Sequence, residues 1–378
     1  MKIVFLGTHG QYNIGDELLL ETFLRQLGKE NHYAVNSYDP EYTREAVHSQ
    51  FDVEAFHTTR EQLRFVWLIL TCDLVFFGGG SIIKELYASV GRNRFITLWM
   101  ILTTVTFAKL ILRKRVVMSN IGVGPIKSPM GETLARWIIQ QVDYISVRDQ
   151  NSLDICLKLG IPASKVLRVS DAVFANSPED LLPKNVIENS SETLQVALNL
   201  NYDIENRSAW EGFLSRLAES LRLMNQRQKI VLQALPMQSR FKKNDDFSVL
   251  KAFHERIPEI EMVYNNPQTT AEAAEIIAGC NIVVAERLHT LVIASIIGTP
   301  FYGLIYDVKV HELVEYLNME KYSININEDF DSQKLYDGLV ELTDQRVVVR
   351  TNLYKRSAEL RKDLLVYFAD LRRKIMVK

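Results

Sequence analysis

An arginine and a histidine stand two residues apart in Glu286-Arg287-Leu288-His289, and a lysine follows in Tyr306-Asp307-Val308-Lys309. Side chains two apart share a face while the backbone is extended, so Arg287 and His289 point the same way. The apolar run Asn281-Ile282-Val283-Val284-Ala285 predicts a buried strand ending just before them, and Leu288–Ile297 predicts the helix after it. Cations at a helix start face the positive end of its dipole, a poor location unless an anion meets them. The expectation is an anion site at the carboxyl end of a strand, where open α/β sheets hold ligands.

Three further constellations carry chemistry. The segment Gly7-Thr8-His9-Gly10-Gln11-Tyr12-Asn13-Ile14-Gly15-Asp16-Glu17 puts Gly10 and Gly15 between a strand and a helix, where backbone amides can approach a phosphate or sugar. Its spacing is not the dinucleotide fingerprint, and Asp16 as a helix cap with Asn13 in a turn explains the same residues without a ligand. Gly78-Gly79-Gly80-Ser81 follows another apolar strand; Gly79 and Gly80 leave room for a ligand against backbone, or for close packing of strand on helix. Ser146-Val147-Arg148-Asp149 ends a third strand, with Asp149 as the cap of the next helix and Arg148 at a strand end like Arg287. Asp171, Leu235–Gln238 and Asp245-Asp246 are weaker pointers, and His9 is a candidate second histidine on the acceptor side. No spacing suits a metal, so none is expected.

The elements that must position these residues alternate. Ile3–Leu6, Tyr33–Tyr38, Val53–His57, Leu74–Phe77, Val116–Ile121 and Tyr144–Val147 read as strands, with a helix over Glu17–Leu27 and others among them. Leu194–Leu198, Ile230–Ala234, Glu261–Tyr264, Ile282–Ala285 and Phe301–Ile305 restart the pattern. Such alternation indicates the α/β class, as two doubly wound, Rossmann-like domains facing a cleft. The expected division is an N-terminal domain over 1–176, a polar linker over 177–192, a C-terminal domain over 193–330, and closing helices over 331–378.

At 378 residues two cores are natural, and a formal charge of −2 makes no electrostatic case for nucleic acid. Three scattered cysteines, Cys72, Cys156 and Cys280, suit buried thiols in a reducing compartment, and the chain opens directly on a strand. A cytoplasmic protein is expected. Phe95–Leu112 has the length and apolarity of a membrane span, yet its place between two strands reads as a crossover helix on a parallel sheet. Its flanks, Arg92 and Arg94 before and Arg113-Lys114-Arg115 after, also fit peripheral contact with an anionic membrane surface.

In order and spacing, Gly10–Glu17, Gly78–Gly80, Gly122-Val123-Gly124-Pro125, Ser146–Asp149, Arg287-Leu288-His289 and Tyr306–Lys309 make the chain resemble the polysaccharide pyruvyl transferase family over nearly its whole length. The resemblance implies a GT-B-like fold. It also implies transfer of the enolpyruvyl unit of phosphoenolpyruvate to two hydroxyls of a sugar, forming a pyruvyl ketal and releasing phosphate. It makes His289 the general acid, with Arg148 from the N-terminal domain and Arg287 and Lys309 from the C-terminal domain binding the donor, and the glycine loops on the acceptor side. Two arginines and a lysine match the carboxylate and phosphate of that donor, and a histidine is a natural proton source near neutral pH. Val308 stands where the family often has proline, and Glu286 where a small residue is common. The expected partners are phosphoenolpyruvate and a glycan or lipid-linked saccharide, with no separate cofactor; peripheral membrane contact and self-association are compatible with this reading. The competing readings are a GT-B glycosyltransferase using a nucleotide sugar, for which Glu312 is the tempting ribose-binding acid, and a silent scaffold of polysaccharide assembly.

Overall fold

The structure is a computed structural model that describes residues 1–376 except 48–49, 87–92, 183–192, 203–206 and 241–243. Much of the expected linker, together with His48 and Arg92, lies outside the described residues. The chain forms two compact units: residues 1–11, 16–175 and 363–378 make the first, and residues 12–15 and 176–362 the second.

The first unit runs β1 (Lys2–Leu6), α1 (Ile14–Leu27), β2 (His32–Ser37), α2 (Pro40–Val47), β3 (Asp52–His57), α3 (Gln62–Thr71), β4 (Leu74–Gly78), β5 (Ser81–Ile83), α4 (Ile96–Thr106), β6 (Arg115–Val123), α5 (Pro129–Gln141), β7 (Tyr144–Val147), α6 (Gln150–Lys158) and β8 (Val166–Arg168). Its strands are parallel in the order β3-β2-β1-β4-β6-β7-β8, with β5 beside β6. The chain moves one way from β1 through β3 and the other way from β4 on, so the order reverses between β1 and β4. The glycine-bearing loop after β1 and the Gly78–Gly80 turn therefore both sit at the switch point.

The second unit runs α7 (Pro178–Leu181), β9 (Leu194–Asn199), α8 (Arg207–Arg227), β10 (Ile230–Ala234), α9 (Asp246–His254), β11 (Met262–Tyr264), α10 (Thr270–Ala278), β12 (Ile282–Ala285), α11 (Leu288–Ile297), β13 (Phe301–Ile305), α12 (Val308–Tyr316), β14 (Ser323–Asn325), α13 (Ser332–Asp344) and α14 (Arg346–Met376). Its parallel order β11-β10-β9-β12-β13-β14 reverses between β9 and β12. Asn199 and Glu286-Arg287 thus lie at the second switch point, with Ala285 registered opposite Asn199. β12 is buried throughout and all but the first two residues of α11 are buried, which is why both read as unbroken apolar runs.

Two boundaries differ from the sequence expectation. Helix α1 starts at Ile14, because the Asn13 side chain accepts from Gly15 N–H at 3.1 Å and caps it; Gly15 and Asp16 belong to its first turn, not to a loop. The closing element over 331–378 is not one body. Helix α13 and the start of α14 belong to the second unit, whereas Asp363 onward completes the first. There Tyr367 Oη bonds Ser119 and Ser146 at 2.6 and 2.7 Å, and the Phe368 ring meets Phe23 edge-on at 5.7 Å. The start of the expected linker is also structured, as α7 with a reciprocal Ser177–Asp180 capping box.

Candidate active site

In the second unit Arg287 is the residue that caps α11 and His289 lies in its first turn. The Arg287 guanidinium is bound in two-pronged fashion by Asp246, Nε to Oδ2 at 3.0 Å and Nη2 to Oδ1 at 2.6 Å, and Nη2 also donates to Gln238 Oε1 at 3.0 Å. Asp246 Oδ2 further accepts from the backbone N–H groups of Met237 and Gln238 at 3.0 and 3.2 Å, and from Asn199 Nδ2 at 3.3 Å. Asn199 Oδ1 closes the circuit by accepting Arg287 N–H at 3.0 Å. The Asp246 side chain is only 1 % exposed, so each lone pair not met by water is met by protein.

This adds to the opening inference from sequence a partner that the sequence did not show. A cation at the start of α11 did call for an anion, and the protein itself supplies one. Both arginines are held this way. In the first unit Arg148, with its side chain 7 % exposed, lies 3.5 Å from Asp171, 3.7 Å from Asp149 and donates to Ser81 Oγ at 3.1 Å. The Asp171 and Asp246 pointers thus mark partners of the arginines.

Residues 12–15 join the second unit through an isolated pairing of Asn13 with Gln238, through Ile14 N–H to Met237 O at 3.0 Å, and through Ser239 N–H to Tyr12 O at 3.1 Å. Gly15 consequently lies against His289. A Cβ placed on Gly15 would come within 2.1 Å of Nδ1 and 2.9 Å of the histidine Cβ. Glycine here makes space for the imidazole, a role distinct from presenting an amide to a ligand.

The other loop glycines behave alike. Gly10, at φ +72°, donates its N–H to Glu17 Oε1 at 2.7 Å, and a side chain there would strike Ser37. Gly79, at φ +65°, donates to Ser119 O at 2.9 Å, and Gly80, at φ +70°, accepts from Gly122 N–H at 2.7 Å. The amides of Gly10, Gly15 and Gly79 are therefore engaged within the protein. Left-handed backbone and close approach account for these glycines without a phosphate.

Lys309 has a more open setting. Asp307 caps α12 by accepting Val310 N–H at 3.1 Å, which places Val308 first and Lys309 second in the helix. The lysine side chain is 36 % exposed, with Nζ 3.3 Å from Asp307 Oδ2. The first helical position is the one where proline is favoured, so valine there keeps the same backbone that a proline would impose.

His9 is not at an accessible acceptor surface. It is 2 % exposed, beside the Phe5 ring, and burial drives its pKa down to about 3 against a backbone hydrogen bond at Asp16 that raises it. Glu17, 5 % exposed, is pushed the other way to about 8, first by burial, opposed by the Gly10 N–H and reinforced by Asp16. At neutral pH this pair of positions is an uncharged imidazole and a largely protonated carboxyl. Sequence reasoning missed Asn199 and Glu17 as organising residues. A polar residue closing an apolar strand, and a glutamate behind a glycine loop, were the available signals. Among the described residues no group of three or more His, Cys, Asp or Glu side chains is gathered as for a metal ion.

Two units with parallel sheets, each with polar side chains collected at strand ends around its switch point, make a GT-B-like fold. The chain belongs to the polysaccharide pyruvyl transferase family, whose sequence model matches residues 13–308. It is similar to the amylovoran biosynthesis protein AmsJ of Erwinia amylovora, 20% identical over 280 residues, which is 71% of this chain and 63% of that protein. Its fold is similar to Anabaena Alr3699/HepE in complex with UDP, at TM-score 0.65 and 13% identity over 99% of both chains. A glycosyltransferase from Rickettsia africae ESF-5 gives TM-score 0.63 at 11% identity, over 99% of this chain and 98% of that one. UDP-GlcNAc 2-epimerase from Neisseria meningitidis, bound to UDP-GlcNAc, gives 0.58 at 12% identity, over 97% and 100%.

Proposed function

We propose that the protein transfers the enolpyruvyl group of phosphoenolpyruvate to a sugar of a polysaccharide or lipid-linked glycan precursor, forming a pyruvyl ketal. The observation that carries this reading is His289 in the first turn of α11, seated on Gly15 and two residues along the chain from Arg287, which pairs with Asp246, in a member of this family. His289 gives a proton to the donor's terminal methylene carbon, which becomes a methyl group and leaves an oxocarbenium-like centre beside it. One sugar hydroxyl adds there and returns a proton to the histidine. The second hydroxyl then displaces phosphate, which leaves with the remaining proton. Acid catalysis of this kind contributes about 10²–10⁴-fold.

Lys309 supplies exposed positive charge for the donor's phosphate or carboxylate. Arg287 enters as a fork already oriented by Asp246, its charge partly offset. Arg148 enters by the family resemblance and is held more loosely, by one hydrogen bond to Ser81 and a 3.5 Å contact with Asp171. Preorientation of donors before substrate arrives is how such groups act without reorganisation in the transition state.

A second reading, transfer from a nucleotide sugar, is favoured by the likeness of fold to proteins captured with UDP or a UDP-sugar. In that reading Glu312 on α12 is the ribose-binding acid. Thermal stabilisation separates the two. Phosphoenolpyruvate should raise the melting temperature while UDP and UDP-sugars leave it unchanged, and the reverse pattern overturns pyruvyl transfer.

A further inference from the structure

Three of the four tryptophans of this chain are exposed, and all three sit on one face of the first unit. The crossovers β3-α3-β4, β4-α4-β6 and β6-α5-β7 run in the same direction along the sheet, which places α3, α4 and α5 on the same side of it. Leu68 of α3, Leu98 of α4 and Leu134 of α5 accordingly join one core cluster.

The outward sides of two of these helices are as apolar as the inward ones. Helix α3 exposes Leu63 (89 %), Val66, Trp67 (54 %) and Leu70, at the i, i+3, i+4, i+7 spacing of a single stripe. Helix α4 exposes Ile96, Trp99 (43 %) and Met100 in the same spacing, and the chain just beyond it exposes Leu110 and Ile111. Trp137 of α5 is half exposed on the same layer. From Phe95 to Ala108 there is no charged residue at all. An outward stripe of this composition is anomalous for a face left in water.

Along the α4 segment itself the charge is of one sign. Residues 93–115 contain five Lys or Arg and no Asp or Glu, within a chain whose net charge is −2. Lys109 is answered by Asp143, and Arg94 lies 4.0 Å from Glu85. Lys114 and Arg115 donate to backbone carbonyls, which leaves their charge in place, and Arg113 is exposed. At the edge of the α3 stripe the Lys2 ammonium lies 4.3 Å over the Trp67 ring.

Helix α4 has 11 residues, about 16 Å at 1.5 Å per residue, against about 30 Å for a bilayer core. No helix of the described residues is long and apolar enough to cross a membrane. An apolar stripe rich in tryptophan, with an excess of cations at the ends of the α4 segment, on helices whose other side is fixed to a sheet, suits lying in the plane of a lipid interface.

We propose that the outward faces of α3 and α4, with Trp67 and Trp99 as anchors, dock the first unit onto an anionic lipid surface. The Phe95–Leu112 run is then both the crossover helix of the sheet and the membrane contact, one function on each side. The inference is independent of which reaction the protein catalyses.

Flotation of the full chain with phosphatidylglycerol–phosphatidylcholine vesicles tests it. The wild-type chain should float with these vesicles and not with pure phosphatidylcholine, and added salt should weaken the binding. Trp67→Ser with Trp99→Ser should lower vesicle affinity by about tenfold or more at an unchanged melting temperature, since both side chains are exposed in the free protein. Quenching of wild-type tryptophan fluorescence by brominated phosphatidylglycerol should report insertion without any variant. Absence of flotation and quenching overturns the proposal. So does vesicle binding that survives the double substitution, or a lipid-free dimer of the wild-type chain that the substitution dissolves, which would make this face a contact between copies.

Discussion

Gly15 is the seat of His289: a methyl group at position 15 would fall 2.1 Å from the imidazole Nδ1. The two residues are far apart in sequence, yet the pairing of Asn13 with Gln238 and the cap of α1 bring the glycine to the histidine. Because Gly15 lies in a helical turn, its need for glycine comes from this neighbour and not from an unusual backbone.

We predict that Gly15→Ala removes activity while leaving the fold intact. Alanine is favoured over glycine within a helix by about 1 kcal/mol, which offsets part of the collision in the stability balance. The imidazole has to move, and turnover should drop by about 10²-fold, the scale of a misplaced catalytic group. Circular dichroism and initial rates measured together decide it. Unaltered turnover would mean that His289 is not held where the reaction needs it.

His289→Ala and Lys309→Ala should fail differently. The histidine variant should keep phosphoenolpyruvate binding by calorimetry and lose about 10²–10⁴-fold in kcat. The lysine variant should chiefly raise KM for the donor, because its charge is felt in the ground state as well. Wild-type turnover in His289→Ala would remove the acid assignment.

Asp246→Ala should be among the more damaging single changes in the second unit. It strands the Arg287 guanidinium, 13 % exposed, without its carboxylate, and leaves the Met237 and Gln238 amides without an acceptor. Removing one partner of such a pair costs about 3–5 kcal/mol. Replacing both residues, as Asp246→Leu with Arg287→Met, should recover part of the stability but not the activity. Chemical denaturation of the two variants checks this, and Asp246→Ala as stable as wild type would contradict it.

His9 and Glu17 make opposite demands on pH. His9 has a folded pKa of about 3 against 6.5, so its contribution is complete above 6.5 and is lost as pH falls toward 3. Glu17 has a folded pKa of about 8 against 4.5, so its contribution is complete below 4.5 and is lost as pH rises toward 8. From these two groups we predict a stability plateau between about 4.5 and 6.5, falling on either side. Glu17→Gln, which keeps an acceptor for Gly10 N–H without an ionisable proton, should abolish the alkaline fall alone. Melting temperature against pH for both proteins is the measurement, and an identical alkaline slope in the variant would reject the role given to Glu17.

What the sequence disclosed, and what it withheld, follows from the range of the interactions. Strands such as Ile282–Ala285 and helices such as Leu288–Ile297 were legible because burial writes itself into local runs. Motif order was legible as well, and the family match over residues 13–308 agrees with it. The partners of Arg287 were not, since Asn199 comes from the end of β9 and Asp246 from the start of α9, and neither carries a local sign of the contact. For the same reason the glycine loop after β1 read equally as a ligand cradle or as a turn, because Ser37 and His289, which leave no room for a side chain at Gly10 and Gly15, lie elsewhere in the sequence. The apolar run Phe95–Leu112 was ambiguous for a physical reason: its two sides face a core and an exposed surface, and both are apolar.

The return of residues 363–376 to the first unit has a consequence for the order of synthesis. Every segment of the second unit has left the ribosome before Tyr367 and Phe368 emerge to cover Ser119, Ser146 and Phe23. The domain that is begun first is therefore the one finished last, and until then Ser119, Ser146 and the edge of Phe23 wait uncovered. A released chain truncated after residue 362 should have a protease-resistant second unit and a labile first one.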